Sequence, residues 1–148
     1  MPKFELIKFK KMKNYILGLL GAATIVSCGS MGGSSASSKV GKTQASIANT
    51  KWVLADKVKG TVPTLNIEGE KINGNGGCNR FFGTVAMDAQ SGTFTPSGVG
   101  STKMACENMS VESNYLGALQ KVNKYVVTDS SLELYQGSLL LLKFNKAE

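Results

Sequence analysis

The sequence predicts a mainly β domain: a small antiparallel barrel, or a strongly bent sheet, carrying one α-helix. Three observations predict it. Beyond residue 50 the chain is a series of short segments in which apolar and polar side chains alternate at period two. Turn-forming pairs separate them, at Gly69-Glu70, Ser91-Gly92, Asp129-Ser130 and Gln136-Gly137. Once only, in "SVESNYLGALQKVN", the apolar positions switch to steps of four and three, the mark of one helical face.

Each element follows from local pattern. "KWVLA" opens the domain near Thr50 as a strand with Trp52 and Leu54 on one face. Pro63 introduces "PTLNIE", where Leu65 and Ile67 alternate with Asn66 and Glu68, and Gly69-Glu70 turns the chain into "KIN". "RFFGTVAMDA" is a longer strand with Phe81, Gly83, Val85 and Met87 sharing a face. "TFTPS" and "VGSTKMAC" read as two further short strands. In the helix, Val111, Tyr115, Leu119 and Val122 form the buried stripe. Ser110 is placed as its N-cap, and Glu112 falls in the first turn, where the helix dipole favours an acid. "KYVVT", "SLELY" and "SLLLLKF" close the chain. Leu132 and Leu134 share a buried face, and the last segment, apolar on both faces, reads as central rather than as an edge. Such a set folds as a barrel or bent sheet, with the helix plugging one opening or lying across one face.

The N-terminal part has another purpose. Lys8, Lys10, Lys11 and Lys13 precede an apolar run from Tyr15 to Val26, and Ser27-Cys28 follows. A run of about 12 residues is short of the roughly 20 that a helix needs to span a bilayer, and suits the core of a cleaved signal. Met12 is an alternative start for it. Ile25-Val26-Ser27-Cys28 resembles the bacterial lipobox, which implies cleavage before Cys28 and acylation, for example with palmitate, of that cysteine. Residues 1–27 are thus expected to be a lipoprotein signal peptide. Residues 28–49, rich in Ser, Gly and Ala, are expected to be a flexible tether. "GKT" at Gly41–Thr43 is no phosphate loop, since the leading glycine position holds Ala36.

Removing the signal changes the charge balance. The chain has 17 basic and 10 acidic side chains, a net of +7. From Cys28 onward it has twelve against nine, a net of +3, scattered along the strands. That balance carries no nucleic-acid footprint. Cys78 and Cys106 are left once Cys28 takes lipid, and in an exported, oxidising compartment two such thiols are expected to pair.

The composition withholds most catalytic chemistry. There is no histidine, hence no common general base or zinc ligand, and two cysteines alone complete no metal site. Glu68 and Glu70 flank a turn glycine as solvated hairpin charges. Ser101 and Lys103 are two apart, not the three of a Ser/Lys hydrolase motif. No catalytic residue, metal or cofactor is expected. The stretch "GNGGCNRFFG", Gly74–Gly83, has asparagine where a dinucleotide fingerprint needs its third glycine. It reads foremost as a structural corner, stapled through Cys78, with a recognition surface as the alternative. Arg80 is expected to fix that corner on a carboxylate or a row of carbonyls.

"GNGGCNRFFGTV", then "STKMAC", a helix and a terminal "LLLLKF" together resemble the META domain of HslJ-like bacterial envelope proteins, over about Thr50 to Phe144. The motif positions are Gly77, Cys78, Asn79, Arg80, Phe82 and Gly83, then Thr102, Met104, Ala105 and Cys106, with Lys103 where an arginine is common. The resemblance implies a lipocalin-like barrel, no established enzymatic reaction, and a link to envelope or heat-stress responses. The function expected is a non-enzymatic protein of the cell envelope, lipid-anchored, with the outer membrane's periplasmic face as its place. It would be a monomer that contacts an envelope protein partner and binds no nucleic acid. The alternative is a carrier of a small apolar ligand in a cavity lined by Phe81, Phe94, Tyr115 and Tyr125.

Overall fold

The computed structural model describes residues 39–148; the signal, Cys28 and the tether as far as Ser38 lie outside the described residues. Eight strands pair antiparallel in chain order: β1 (Thr50–Leu54), β2 (Thr64–Glu68), β3 (Lys71–Asn75), β4 (Arg80–Asp88), β5 (Thr93–Ser101), β6 (Lys124–Val127), β7 (Ser131–Gln136) and β8 (Leu139–Lys146). β8 returns to β1, Leu54 opposite Phe144 and Trp52 opposite Lys146, so the sheet closes. Of the two architectures the sequence allows, the closed barrel is the one formed. Closure gives every strand two neighbours, with β5 and β6 the weakest pair.

Period two puts alternate residues inside. Trp52, Leu54, Leu65, Ile67, Ile72, Phe81, Val85, Phe94, Leu132, Leu134 and Phe144 are buried in one core cluster. β8 departs from expectation: Leu142 and Phe144 are buried, whereas Leu139 and Leu140 stand 62% and 43% exposed. The strand is central, as every strand of a closed barrel is, yet its outer face is not covered like its inner one. β5 departs too. It runs unbroken from Thr93 to Ser101 instead of forming two strands, and a bulge against β4 between Phe82 and Thr84 takes up the extra residue in "SGVG". The segment 102–106 is loop rather than strand.

The single helix α1 (Met109–Leu119) connects β5 to β6 across one mouth of the barrel. Tyr115 and Leu119 point inward, and Tyr115 packs edge-on against Phe81 and Phe144, with ring centroids 5.7 and 6.2 Å away. Ser110 is not the N-cap. The helix begins two residues after Glu107, and Asn108 occupies the cap position without a side-chain capping bond.

That crossover leaves β5 and β6 joined by a single ladder pair, Thr93 opposite Lys124. Residues 39–48 fill the weak seam. Gln44 donates its backbone N–H to Ala89 O (2.7 Å) and accepts from Val127 N at its side-chain oxygen (3.1 Å). Tyr125 donates its hydroxyl to Ala45 O at 2.9 Å, and Ile47, 2% exposed, enters the core. The folded unit therefore starts before Thr50. The last part of the stretch read as tether is a strap across the second mouth, because its one large apolar side chain has a core to enter.

Candidate functional site

The glycine-rich corner joins β3 to β4 at the helix-covered mouth. Gly77 has φ +115°, and a Cβ there would lie 2.8 Å from Val111 Cγ1. Only glycine lets the corner come this close to α1. Cys78 is joined to Cys106 by a disulfide, with Cα atoms 6.0 Å apart. The bond pins the 102–106 loop to the corner.

Between them lies a buried polar knot centred on Asn79 (1% exposed) and Glu112 (6%). Asn79 donates its backbone N–H to Glu112 Oε2 at 2.7 Å and its side-chain amide to the same oxygen at 2.9 Å. The amide also donates to Met104 O (3.1 Å), while Asn79 Oδ1 accepts from Met104 N (2.7 Å) and Thr102 Oγ1 (3.0 Å). Ser101 Oγ donates to Glu112 Oε1 at 3.2 Å. The carboxylate thus faces hydrogen-bond donors and the N-terminal turn of its own helix, which together offset its burial. Donors already occupy both of its oxygens. This arrangement holds the 102–106 loop and the corner against α1. Nothing in the sequence links Asn79 to a glutamate 33 residues on; the predicted role for Glu112 was helix-end electrostatics alone.

The other motif residues divide by surroundings. Gly83 lies at the β4–β5 bulge, and Thr102 is bonded into the knot. Arg80 does not fix the corner: its side chain is exposed and makes no hydrogen bond or ion pair among the described residues. Asn79, one residue earlier and pointing inward, does that work instead. Phe82 is 59% exposed, Met104 60%, and Ala105 is exposed beside it. Above the knot, a cleft of about 380 Å³ is lined by Lys103, Met104, Ala105 and Met109, with Asn79 and Glu112 at its floor. A second, apolar cleft of about 360 Å³ lies where α1 meets β8 and the loop after β1, lined by Leu54, Val58, Val111, Tyr115, Ala118 and Leu142. Among the described residues, no group of three or more His, Cys, Asp or Glu side chains is placed to hold a metal.

Shifted titrations occur elsewhere, in the Glu133 cluster and among the buried tyrosines. On the outer wall, Glu133 accepts from Tyr135 Oη (2.7 Å) and pairs with Lys143 Nζ (2.9 Å). Burial opposes its charge, but the bonds from Lys143 and Tyr135 and the lysine's charge outweigh it and hold the carboxyl below its ordinary value. Burial raises Tyr115 and Tyr125, with the Asp88 charge adding to the latter. Neither group forms a reactive constellation.

Comparison with known proteins agrees with this geometry. The family described as META domain matches residues 45–148, a span that begins inside the strap. No curated protein matches the chain. Among solved structures, the chain is similar to an NMR structure of a protein from Burkholderia xenovorans, with 24% identity and a TM-score of 0.58 over 68% of this chain and 83% of that one. A second NMR structure is 20% identical, with a TM-score of 0.53 over 74% of this chain and 92% of the other. At these identities the two likenesses speak for the fold alone.

Proposed function

The chain belongs to the META domain family, and from that premise we propose a non-enzymatic, lipid-anchored envelope protein whose barrel is a protein-interaction module. The observation that carries the reading is the mounting of Met104. Its side chain is 60% exposed, yet its backbone N–H and C=O are both bound by the buried Asn79, and the adjoining loop is tied down through Cys106. Holding an apolar side chain in water on a rigid support costs solvation and strengthens nothing inside the barrel. It does suit contact with a partner, because a preorganised anchor loses little entropy on binding. Methionine is adaptable at such surfaces, and Met109 lies across the same cleft.

Anchoring at Cys28, placement at the periplasmic face of the outer membrane and a role in envelope or heat-stress tolerance complete the proposal. They rest on the lipobox and on the resemblance of the paired motifs. The carrier reading has less behind it. Phe81, Phe94, Tyr115 and Tyr125 are buried against one another and against the core rather than around a space, with Phe94 and Tyr125 edge-on at 6.4 Å. The apolar cleft beneath α1 is the site that would suit it.

A photoreactive amino acid at position 104, in the native host, tests the interaction. It is expected to crosslink a discrete polypeptide that the same probe at the exposed Thr95 does not. Equal labelling from both positions, or none from 104, would refute the module. Separately, Cys28→Ser is expected to block processing and move the protein out of the membrane fraction; unchanged fractionation would refute the anchor.

A further inference from the structure

From the outer wall of β2, β3 and β4 we infer a binding site for a carboxylate-bearing saccharide. It is separate from the Met104 cleft and does not depend on lipid anchoring. A depression of about 430 Å³ on this wall is lined by Thr64, Asn66, Asn73, Asn75 and Arg80. Pairing aligns these residues in two rows on one face. Asn66 is opposite Asn73, which is opposite Phe82; beside them, Asn75 is opposite Arg80. Gly74 faces the other way, opposite the buried Phe81, and lets β3 lie close to β2, since a Cβ there would fall 2.1 Å from Thr64 O.

The hydrogen-bond inventory selects the ligand. Asn66 donates its amide to Asn73 Oδ1 at 2.9 Å, and Asn75 Oδ1 accepts from Gly77 N at 2.7 Å. Each of these bonds takes one lone pair of the Asn73 and Asn75 carbonyl oxygens, and the N–H₂ groups of both residues, which line the depression, make no hydrogen bond among the described residues. Thr64 Oγ1 already accepts from Asn75 N, so its hydroxyl proton is the part left to offer. Arg80 adds a guanidinium with no partner among the described residues. Counting the N–H groups of the three amides, the Thr64 hydroxyl and the Arg80 guanidinium against the lone pairs left on four oxygens, the wall has more donors to offer than acceptors. Lys51 stands opposite Asn66, and the nearby Glu68 is opposite Lys71, so the bordering charge is positive on balance. Such a surface fits an anion rich in acceptors, and Arg80 supplies the fork that a carboxylate fills.

Phe82 supplies the second half of the recognition. Phe82, 59% exposed, follows Asn73 in the register on the β4 side, and its ring lies toward Gly100 of β5, whose missing side chain makes room for it. The negative face of an aromatic ring takes the C–H face of a pyranose. Amides in a row then meet the hydroxyls, and Arg80 the carboxylate.

Trigalacturonate, trigalactose and acetate, each titrated into the isotope-labelled full chain in detergent, make the test by NMR. Trigalacturonate is expected to shift the side-chain amide signals of Asn73 and Asn75 saturably, with trigalactose at least about tenfold weaker, as loss of one charge-assisted bond implies. Arg80→Gln is expected to weaken trigalacturonate about tenfold. Phe82→Ala should weaken trigalacturonate and leave any acetate response unchanged. Both residues are exposed, so an unchanged backbone spectrum is expected for each variant. Absence of amide shifts would overturn the site, and equal binding of trigalactose would overturn the carboxylate. Acetate matching trigalacturonate, with Phe82→Ala without effect, would overturn the saccharide and leave a bare carboxylate, such as a peptide chain end, as the ligand.

Discussion

The two mouths of the barrel are closed by different means. At one, α1 lies across the opening, Tyr115 fills it, and the disulfide and the Asn79–Glu112 knot bind three separate stretches of chain together. At the other, residues 39–48 lie over the opening, held by Ile47 in the core and a few hydrogen bonds from Gln44 and Ala45. The first closure is cross-linked within the fold, so it opens only when much of the domain does. The second is a short segment outside the strand ladder, able to peel away with modest loss of the rest. The end presenting the exposed methionines is the rigid one.

The sharpest way to break this comparison is to remove the disulfide. Cys78→Ala with Cys106→Ala is expected to cost about 3 kcal/mol in urea unfolding, from loop entropy at a separation of 28 residues. Ile47→Ala at the opposite mouth is expected to cost less, about 2 kcal/mol, at the low end for a buried isoleucine, because the strap releases before the barrel yields. Hydrogen exchange separates the two cases. The Ile47 variant should expose the amides of Gln44 and Val127, both bonded through the strap, ahead of global unfolding, whereas the cysteine variant should not. Equal costs with uniform exchange would mean that the strap is as integral as the helix.

The same contrast explains what the sequence disclosed. Strand positions were legible because the inner residues, Trp52 and Leu54 on β1 or Leu65 and Ile67 on β2, alternate with less buried ones. The helix stripe and the cysteine pair were legible for equally local reasons. The strap was not: Ser, Ala, Gln and Asn surround a lone Ile47, and no period marks a segment that is neither helix nor strand. The knot was hidden too, since Asn79 and Glu112 meet only once the barrel brings β4 beside α1. Arg80 was misread because charge suggested a clamp, when strand alternation turns it outward and its smaller neighbour inward. The even apolarity of "LLLLKF" overstated burial, as on β8 only the inner Leu142 and Phe144 are covered.

The wall between the mouths offers a smaller, pH-dependent test. Glu133 has a lowered value in the fold, so its contribution is fully present above the unfolded carboxylate range of about 4.3 and is lost as pH falls through the folded value. Glu133→Gln removes the contribution. The stability gap between the native chain and this variant is therefore expected to be widest above about pH 5 and to shrink on acidification. A gap that stays constant with pH would mean that the bonds from Tyr135 and Lys143 act without regard to charge.

Ser110→Ala gives the smallest effect and probes how the rigid mouth begins its helix. A true N-cap serine is worth about 1 kcal/mol. Here Ser110 is already inside the first turn, exposed, and Asn108 at the cap makes no side-chain bond. A Cβ on Gly60 would fall 2.1 Å from Asn108 Nδ2, so the Asn108 side chain is turned toward the loop before β2. The helix start is held instead from outside: Glu112 in the first turn is fixed by Asn79 and Ser101, and the disulfide tethers the chain just upstream. Ser110→Ala is therefore expected to change stability by less than about 0.5 kcal/mol, as for an ordinary surface site. A loss near 1 kcal/mol, with reduced helix content by circular dichroism, would show that Ser110 caps a shorter helix. The knot would then be supporting that helix rather than starting it.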